Sequence, residues 1–386
     1  MSTAPVAHLQ AVLDEAVGFG LFPAAQAVVL HRGIQVFGGV AGAATGDMRF
    51  DLASVTKVLC TTALFLRLWT EGKAGPETQV ARFFPGTPVG EAGVTVADLL
   101  YHRSGLPPFV PFFAQALTST PELLDPACPP ATRARVREAV VQAAARTPLA
   151  APARTRTAYS DVGFILLGEI LSRAAGKPLD FLFNQYIAEP LGLGARFHRL
   201  SELPTDGPVA PSGSTRPREP APGQEQMWGE LPTRPSPPGE VDDDNAWVMD
   251  GVSGHAGLFG TAVDMARFGQ AVLDGCAGSP AIAPGPLWHR LLTVDPILAG
   301  TRCMGFDSPS VENSSAGHFI GNTPPGAVGH LGFTGTSLWV DLRRALVVAL
   351  VTNRVAHGRK ELRIRDFRPF FHDLVVEVLG IADPKN

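Results

Sequence analysis

Phe50-Asp51-Leu52-Ala53-Ser54-Val55-Thr56-Lys57 runs straight into Val58-Leu59-Cys60-Thr61-Thr62-Ala63-Leu64-Phe65-Leu66. The second half is apolar on nearly every side and meets no Gly or Pro before Gly72, which predicts a helix buried all round. A lysine in its first turn is the anomaly. The chain has only five lysines (Lys57, Lys73, Lys177, Lys360, Lys385) against many arginines, so lysine is not its general surface charge. Lys57 follows Ser54 by three residues, which places amine and hydroxyl on one helix face. A serine hydroxyl attacks a carbonyl only when a base takes its proton, and lysine can serve if its pKa is drawn down. Burial in an apolar helix and the positive end of the helix dipole both push Lys57 that way. The Ser54 N–H, free at a helix start, could donate to an oxyanion. The competing reading is a capping serine beside a lysine that snorkels to solvent.

Composition narrows the classes. With 386 residues the chain is long for one core, and 45% hydrophobic with 18% charged residues is the make-up of a globular protein rather than a disordered one. The formal charge of -4 is nearly balanced and has no basic block, so neither nucleic acid nor an anionic membrane is expected as a partner. Cys60, Cys128, Cys276 and Cys303 are widely spaced, which argues against a disulfide framework and a zinc site; no metal or cofactor is expected. Val6, Leu9, Val12, Leu13 and Val17 have helical spacing with Asp14 and Glu15 among them, unlike a signal peptide, so the expected compartment is cytoplasmic.

Along the chain, Ala25–His31 and Gln35–Val40 read as strands joined at Arg32-Gly33. Helices are expected at the Thr95–Asp98 capping box, over Thr132–Ala145 and Val162–Ala175, from Leu179, and from the second capping box at Thr261–Asp264. Pro204–Gly239 is dense in proline and reads as a long loop or lid. Gly329–Leu338 and Ala345–Thr352 read as adjacent strands, and Phe367–Leu379 as a last helix. The order predicts an α/β (α+β) fold: an antiparallel sheet flanked by helices and built from both chain ends, 1–72 and 251–386, with a mostly helical insertion at 73–250.

Further polar groups stand out. Tyr159 precedes a helix start, where the dipole would favour a phenolate, although a satisfied aromatic is the plainer reading. Asp161 is a natural N-cap for the helix from Val162. His330 heads the Gly-rich strand Gly329-His330-Leu331-Gly332-Phe333-Thr334-Gly335-Thr336, where glycine marks a close ligand or a bulge. His255, between two glycines, is ambiguous.

Taken in order, Ser54-x-x-Lys57, Tyr159-Ser160-Asp161 and His330-Leu331-Gly332 resemble the serine β-lactamase and penicillin-binding-protein superfamily, nearest its class C-like branch of family VIII carboxylesterases and D-aminopeptidases. Asp98–Pro107, Gly254–Phe259, Gly332–Trp339 and Thr352–Arg354 resemble it too. The resemblance implies that Ser54 is acylated, and that Lys57 accepts its proton or tunes Tyr159. Tyr159 would be the general base that later protonates the leaving group, the order of Lys57 and Tyr159 staying open. It implies an oxyanion hole from the N–H groups of Ser54 and Phe333. Asp161, His330 and Gly332 would contact substrate.

Two departures matter. His330-Leu331-Gly332 stands where many relatives have Lys-Thr-Gly, losing a fixed charge and a hydroxyl. Asp161 replaces an asparagine, so it would pair with Lys57 or a substrate amine and repel an anion. Both weigh against an efficient β-lactamase. They suit hydrolysis of a small-molecule ester, or of an amide with a free amine. The alternatives are a transacylase using the same acyl-enzyme, a weak β-lactamase or D-aminopeptidase, and a non-catalytic binding protein.

Overall fold

A computed structural model describes residues 3–203, 205–220, 231–321 and 326–381. The chain opens with helix α1 (Thr3–Gly18), then strands β1 (Ala24–His31) and β2 (Ile34–Gly42). Strands β3 (Ala327–Leu331), β4 (Ser337–Asp341) and β5 (Leu346–Thr352) come from the far end of the chain. They form one antiparallel sheet in the order β2-β1-β5-β4-β3, with Val28 opposite Ala349 at the seam between the two ends. The sheet thus has the predicted origin.

Strand β5 is buried on both faces, and its side chains sort by the two-residue period of a strand. Val347, Ala349 and Val351 enter the larger core, and Leu346, Val348 and Leu350 the smaller. The smaller core joins the sheet to α1 and to the last helix, Ile364–Val378. The larger core runs from the opposite face through the helix Ala262–Cys276, which packs on β1, β4 and β5, into the helices between the chain ends. Those include α2 (Ala63–Thr70) and α3 (Val96–Leu100), the latter started by the Thr95–Asp98 capping box. After them come Phe112–Ser119, Pro130–Arg146 and Asp161–Ala175. No helix among the described residues is long and apolar enough to cross a membrane.

Three local features differ from the sequence reading. The single strand expected over Gly329–Leu338 is two strands, β3 and β4, parted by a turn at 332–336. There the Gly332 N–H donates to Thr336 O and the Gly335 N–H to Gly332 O. His330 therefore lies near the end of a strand, not at its head. The helix from Ser54 is a composite: a 3-10 turn over Ala53–Val55, a π-helical segment Lys57–Thr62, then α2. The Pro-rich segment holds a strand pair, Thr215–Arg216 with Arg234–Pro235, and fully buries Arg216. Its residues 204 and 221–230 lie outside the described residues.

Candidate active site

Ser54 is presented by a pinned turn. Ala53 before it has φ +47, a left-handed conformation that costs a residue with a Cβ about 1–2 kcal/mol. The Ala53 N–H donates to the Asp51 carboxylate at 2.8 Å, and the Leu52 N–H to Leu258 O at 2.9 Å. From the other side, the Thr334 hydroxyl donates to Asp51 O (2.7 Å) and the Thr336 hydroxyl to Leu52 O (3.1 Å). A Cβ on Gly332 would lie 2.6 Å from Leu52 O, so only glycine lets the 332–336 turn close against the Ser54 turn. Among the described residues neither the Ser54 nor the Phe333 N–H takes a backbone acceptor.

Lys57 is wholly buried, and three oxygens lie within 3.0 Å of its ammonium. Its Nζ lies 3.0 Å from Ser54 Oγ, 3.0 Å from His255 O and 2.7 Å from Asp161 Oδ1. The last contact is a close ion pair, bent away from hydrogen-bond geometry. Tyr159 lies against this pair, the centre of its ring 5.0 Å from Lys57 Nζ. Ser54, Lys57, Tyr159 and Asp161 are therefore brought together. Asp161 is the first residue of its helix rather than the cap. Ser160 caps instead, its hydroxyl accepting from the Gly163 N–H, and this frees the Asp161 carboxylate for Lys57.

The charge states overturn one expectation. Burial alone would pull the Lys57 ammonium down, but the Asp161 carboxylate and then Tyr159 outweigh it, and the lysine is held above its ordinary value. Burial likewise pushes the Tyr159 phenol up; Lys57 pulls it back, though not enough to give the phenolate expected from the dipole. The resting site thus pairs an ammonium with a carboxylate and holds a neutral phenol.

Around this centre lies a cavity of about 420 Å³ lined by Ser54, Tyr159, Asp161, His330 and Phe333 among others. His330 is pushed down to about 3, by burial first and then by Lys57 and Arg302. Its Nδ1–H donates to Leu331 O at 2.8 Å, and its buried Nε2 has no partner among the described residues. Gly332 borders the cavity but works through its backbone.

Several groups here carried no clear signal in the sequence. The ring of His102 lies 4.6 Å from that of Tyr159, and its Nδ1 accepts from the Ser160 N–H, fixing the loop that carries Tyr159. Arg302 stacks over the Tyr159 ring at 5.3 Å while paired with Asp307. The His255 ring donates to Asp243 and accepts from Ser253, both at 2.8 Å, which anchors the carbonyl that holds Lys57. The Gly254-His255 glycine context hinted at such a turn; Arg302 sits in a loop whose pairing with β3 had no periodicity to reveal it. Among the described residues no group of three or more His, Cys, Asp or Glu is placed to hold a metal ion.

Comparison with known proteins agrees with this geometry. The family described as Beta-lactamase matches residues 9–368. The chain belongs to the Beta-lactamase family. As a member of it, the protein is a serine hydrolase. It is 33% identical over 320 residues to an N-acetylmuramyl-L-alanine amidase of Bacillus subtilis, covering 79% of this chain and 68% of that one. It is 28% identical to a putative D-alanyl-D-alanine carboxypeptidase of Escherichia coli K12, covering 81% and 70%. Solved structures share the fold. The octameric penicillin-binding protein homologue from Pyrococcus abyssi superposes with a TM-score of 0.68 at 19% identity, covering 97% of this chain and 77% of that one. A D-stereospecific amidohydrolase from Streptomyces gives 0.62 at 20%, covering 90% and 94%.

Proposed function

We propose that this chain hydrolyses small amides and esters through an acyl-enzyme on Ser54. The observation that carries the reading is the buried Lys57 ammonium, 3.0 Å from Ser54 Oγ and 2.7 Å from the Asp161 carboxylate, with the centre of the Tyr159 ring 5.0 Å away. In that set the one group able to receive a proton at rest is Asp161, and Lys57 connects it to the nucleophile. As Ser54 Oγ bonds to the substrate carbonyl carbon, its proton passes to Lys57, which gives one of its own to Asp161. Tyr159, a neutral phenol, protonates the leaving amine or alcohol and is resupplied from Asp161 through Lys57. Water then enters by the reverse sequence and releases the acid. The N–H groups of Ser54 and Phe333 receive the oxyanion in each half-reaction.

The substrate reading rests on charge. Asp161 is engaged by Lys57, Asp243 by His255, Asp242 by Arg359, Asp244 by Arg216 and Asp307 by Arg302, so the cavity carboxylates are occupied and an amine on the substrate is not required. An uncharged acyl group fits best. The likeness to an amidase at 33% identity supports keeping amides beside esters as candidates.

A fluorophosphonate probe and p-nitrophenyl acetate test the assignment. The wild type should be labelled on Ser54 and turn the ester over, and Ser54→Ala should do neither. Equal turnover by both proteins would remove Ser54 from the mechanism. Intact-mass detection of acyl adducts across short esters, amino-acid amides and nitrocefin then ranks the substrate classes.

A further inference from the structure

Arg368, on the last helix, borders the cavity and is buried to 6% exposure. Its Nη2 donates to the Gly332 carbonyl, and its Nε has no partner among the described residues. Among the described residues no carboxylate offsets its charge; besides burial, Arg354 and Arg365 act on it, and all three push it down, to about 9. It is still a cation at neutral pH. An uncompensated buried cation costs several kcal/mol, and an apolar side chain of similar size would dock the helix without that cost. Helix docking alone does not account for an arginine here.

The atom it grips suggests the reason. A trans peptide points the carbonyl of one residue and the N–H of the next in opposite directions. A cation on Gly332 O thus sits at the back of the peptide whose front is the Phe333 N–H. Hydrogen bonds along such a chain polarise one another, by about 10–30% per bond. The same carbonyl also accepts from the Gly335 N–H at 3.1 Å, and the peptides on either side are held as well: the Gly332 N–H donates to Thr336 O, and Arg354 Nε donates to Phe333 O at 2.8 Å while its guanidinium covers the Phe333 ring at 4.5 Å.

We propose that Arg368 is a positioning residue for oxyanion stabilisation: it fixes and polarises the Gly332–Phe333 peptide so that the Phe333 N–H is a stronger, immobile donor. This rests on the acyl-enzyme reading above. Arg368 makes no contact with substrate; it acts through the peptide, and its positive field falls where negative charge develops.

Arg368→Gln and Arg368→Lys separate this role from a merely structural one. Losing an oxyanion donor outright costs about 10²–10³ in rate, so weakening one should lower the acylation rate constant for p-nitrophenyl acetate about 10- to 100-fold in Arg368→Gln, with KM nearly unchanged. Arg368→Lys, which keeps the charge but not the fork, should recover part of the loss. Infrared difference spectra of the ¹³C-acetyl-enzyme supply an independent reading. The ester carbonyl stretch should move to higher wavenumber in the order wild type, Lys, Gln, as polarisation weakens. Should Arg368→Gln not fold, the shift between wild type and Arg368→Lys decides. An unchanged stretch in a folded variant, or a raised KM at unchanged rate constant, would overturn the proposal. A wild type with no adduct on Ser54 would overturn the acyl-enzyme reading instead, and this inference with it.

Discussion

Asp161 is the residue on which the proposed chemistry turns. An asparagine there could support Lys57 with an amide oxygen but could not take a proton, whereas the carboxylate both raises the Lys57 pKa and offers a sink for the proton of Ser54. Asp161→Asn should therefore change the form of the pH dependence as well as the rate. Without its carboxylate partner Lys57 is left to the desolvation that draws it down, and must itself be the base. At pH 7 kcat/KM should fall about 100-fold, the lower end of what a positioned acid or base contributes, and should climb back as pH rises and Lys57 loses its proton. A deficit equal at every pH, or none, would remove Asp161 from the proton path. Sequence singled out the four residues of the proposed site because serine, lysine, tyrosine and aspartate stand in short ordered patterns. It misjudged the charge on Lys57 because the direction followed from burial and the helix dipole alone; Asp161 was read as a possible partner, but that its carboxylate, 104 positions on, comes within 2.7 Å and outweighs burial is set by the fold.

At the scale of elements, the site is held by close approaches between backbones. The helix Asp161–Ala175 meets the Gly254-His255 loop so tightly that a Cβ on Gly254 would lie 2.2 Å from Phe164 O and 2.8 Å from the Gly168 N–H nitrogen. That helix carries Asp161, and the loop carries the carbonyl that binds Lys57, so their spacing sets the geometry around the ammonium. Backbone atoms cannot yield as a flexible side chain does. Gly254→Ala should cost about 1–3 kcal/mol in chemical denaturation, the usual range for overpacking, and should lower kcat as Lys57 loses its anchor. A variant as stable and active as the wild type would show that the contact is slack. Such contacts explain what was legible. Both capping boxes, Thr95–Asp98 and Thr261–Asp264, form as read, since each is written within four residues. The turn at 332–336 was hidden, since its apolar and small residues alternate like a strand and its cause is two threonine hydroxyls reaching Asp51 and Leu52. Arg216 was hidden too, because the Glu240 and Asp244 carboxylates that permit its burial are recruited by the fold from beyond the proline-rich run.

Across the whole molecule the two cores and the site enclose four histidines that fold in the neutral form. Burial is the first cause in each: it pushes His330 to about 3, His198 and His372 to about 4, and His102 well below its ordinary value. His102 and His330 serve the site, His372 accepts from the buried Ser337 hydroxyl, and His198 stacks on Phe259 at 4.1 Å, so the effect is spread through the protein. The sign follows from proton counts. Below about pH 6.5 the unfolded chain protonates these rings while the native protein holds them neutral, so the unfolded state binds more protons and stability falls as pH drops. Asp51 works the other way: raised to about 7, chiefly by burial, it keeps its proton in the native state while the unfolded carboxyl ionises above about pH 4, offsetting roughly one of the four. A net of about three protons near pH 5 corresponds to a slope of roughly 4 kcal/mol per pH unit, at about 1.4 kcal/mol per proton. Denaturant unfolding of the wild type between pH 4.5 and 6.5 should show stability rising steeply with pH. His372→Gln, remote from the catalytic groups, should reduce the slope by about one proton. A flat profile would mean that these rings, that of His330 in the cavity among them, reach solvent in the native protein.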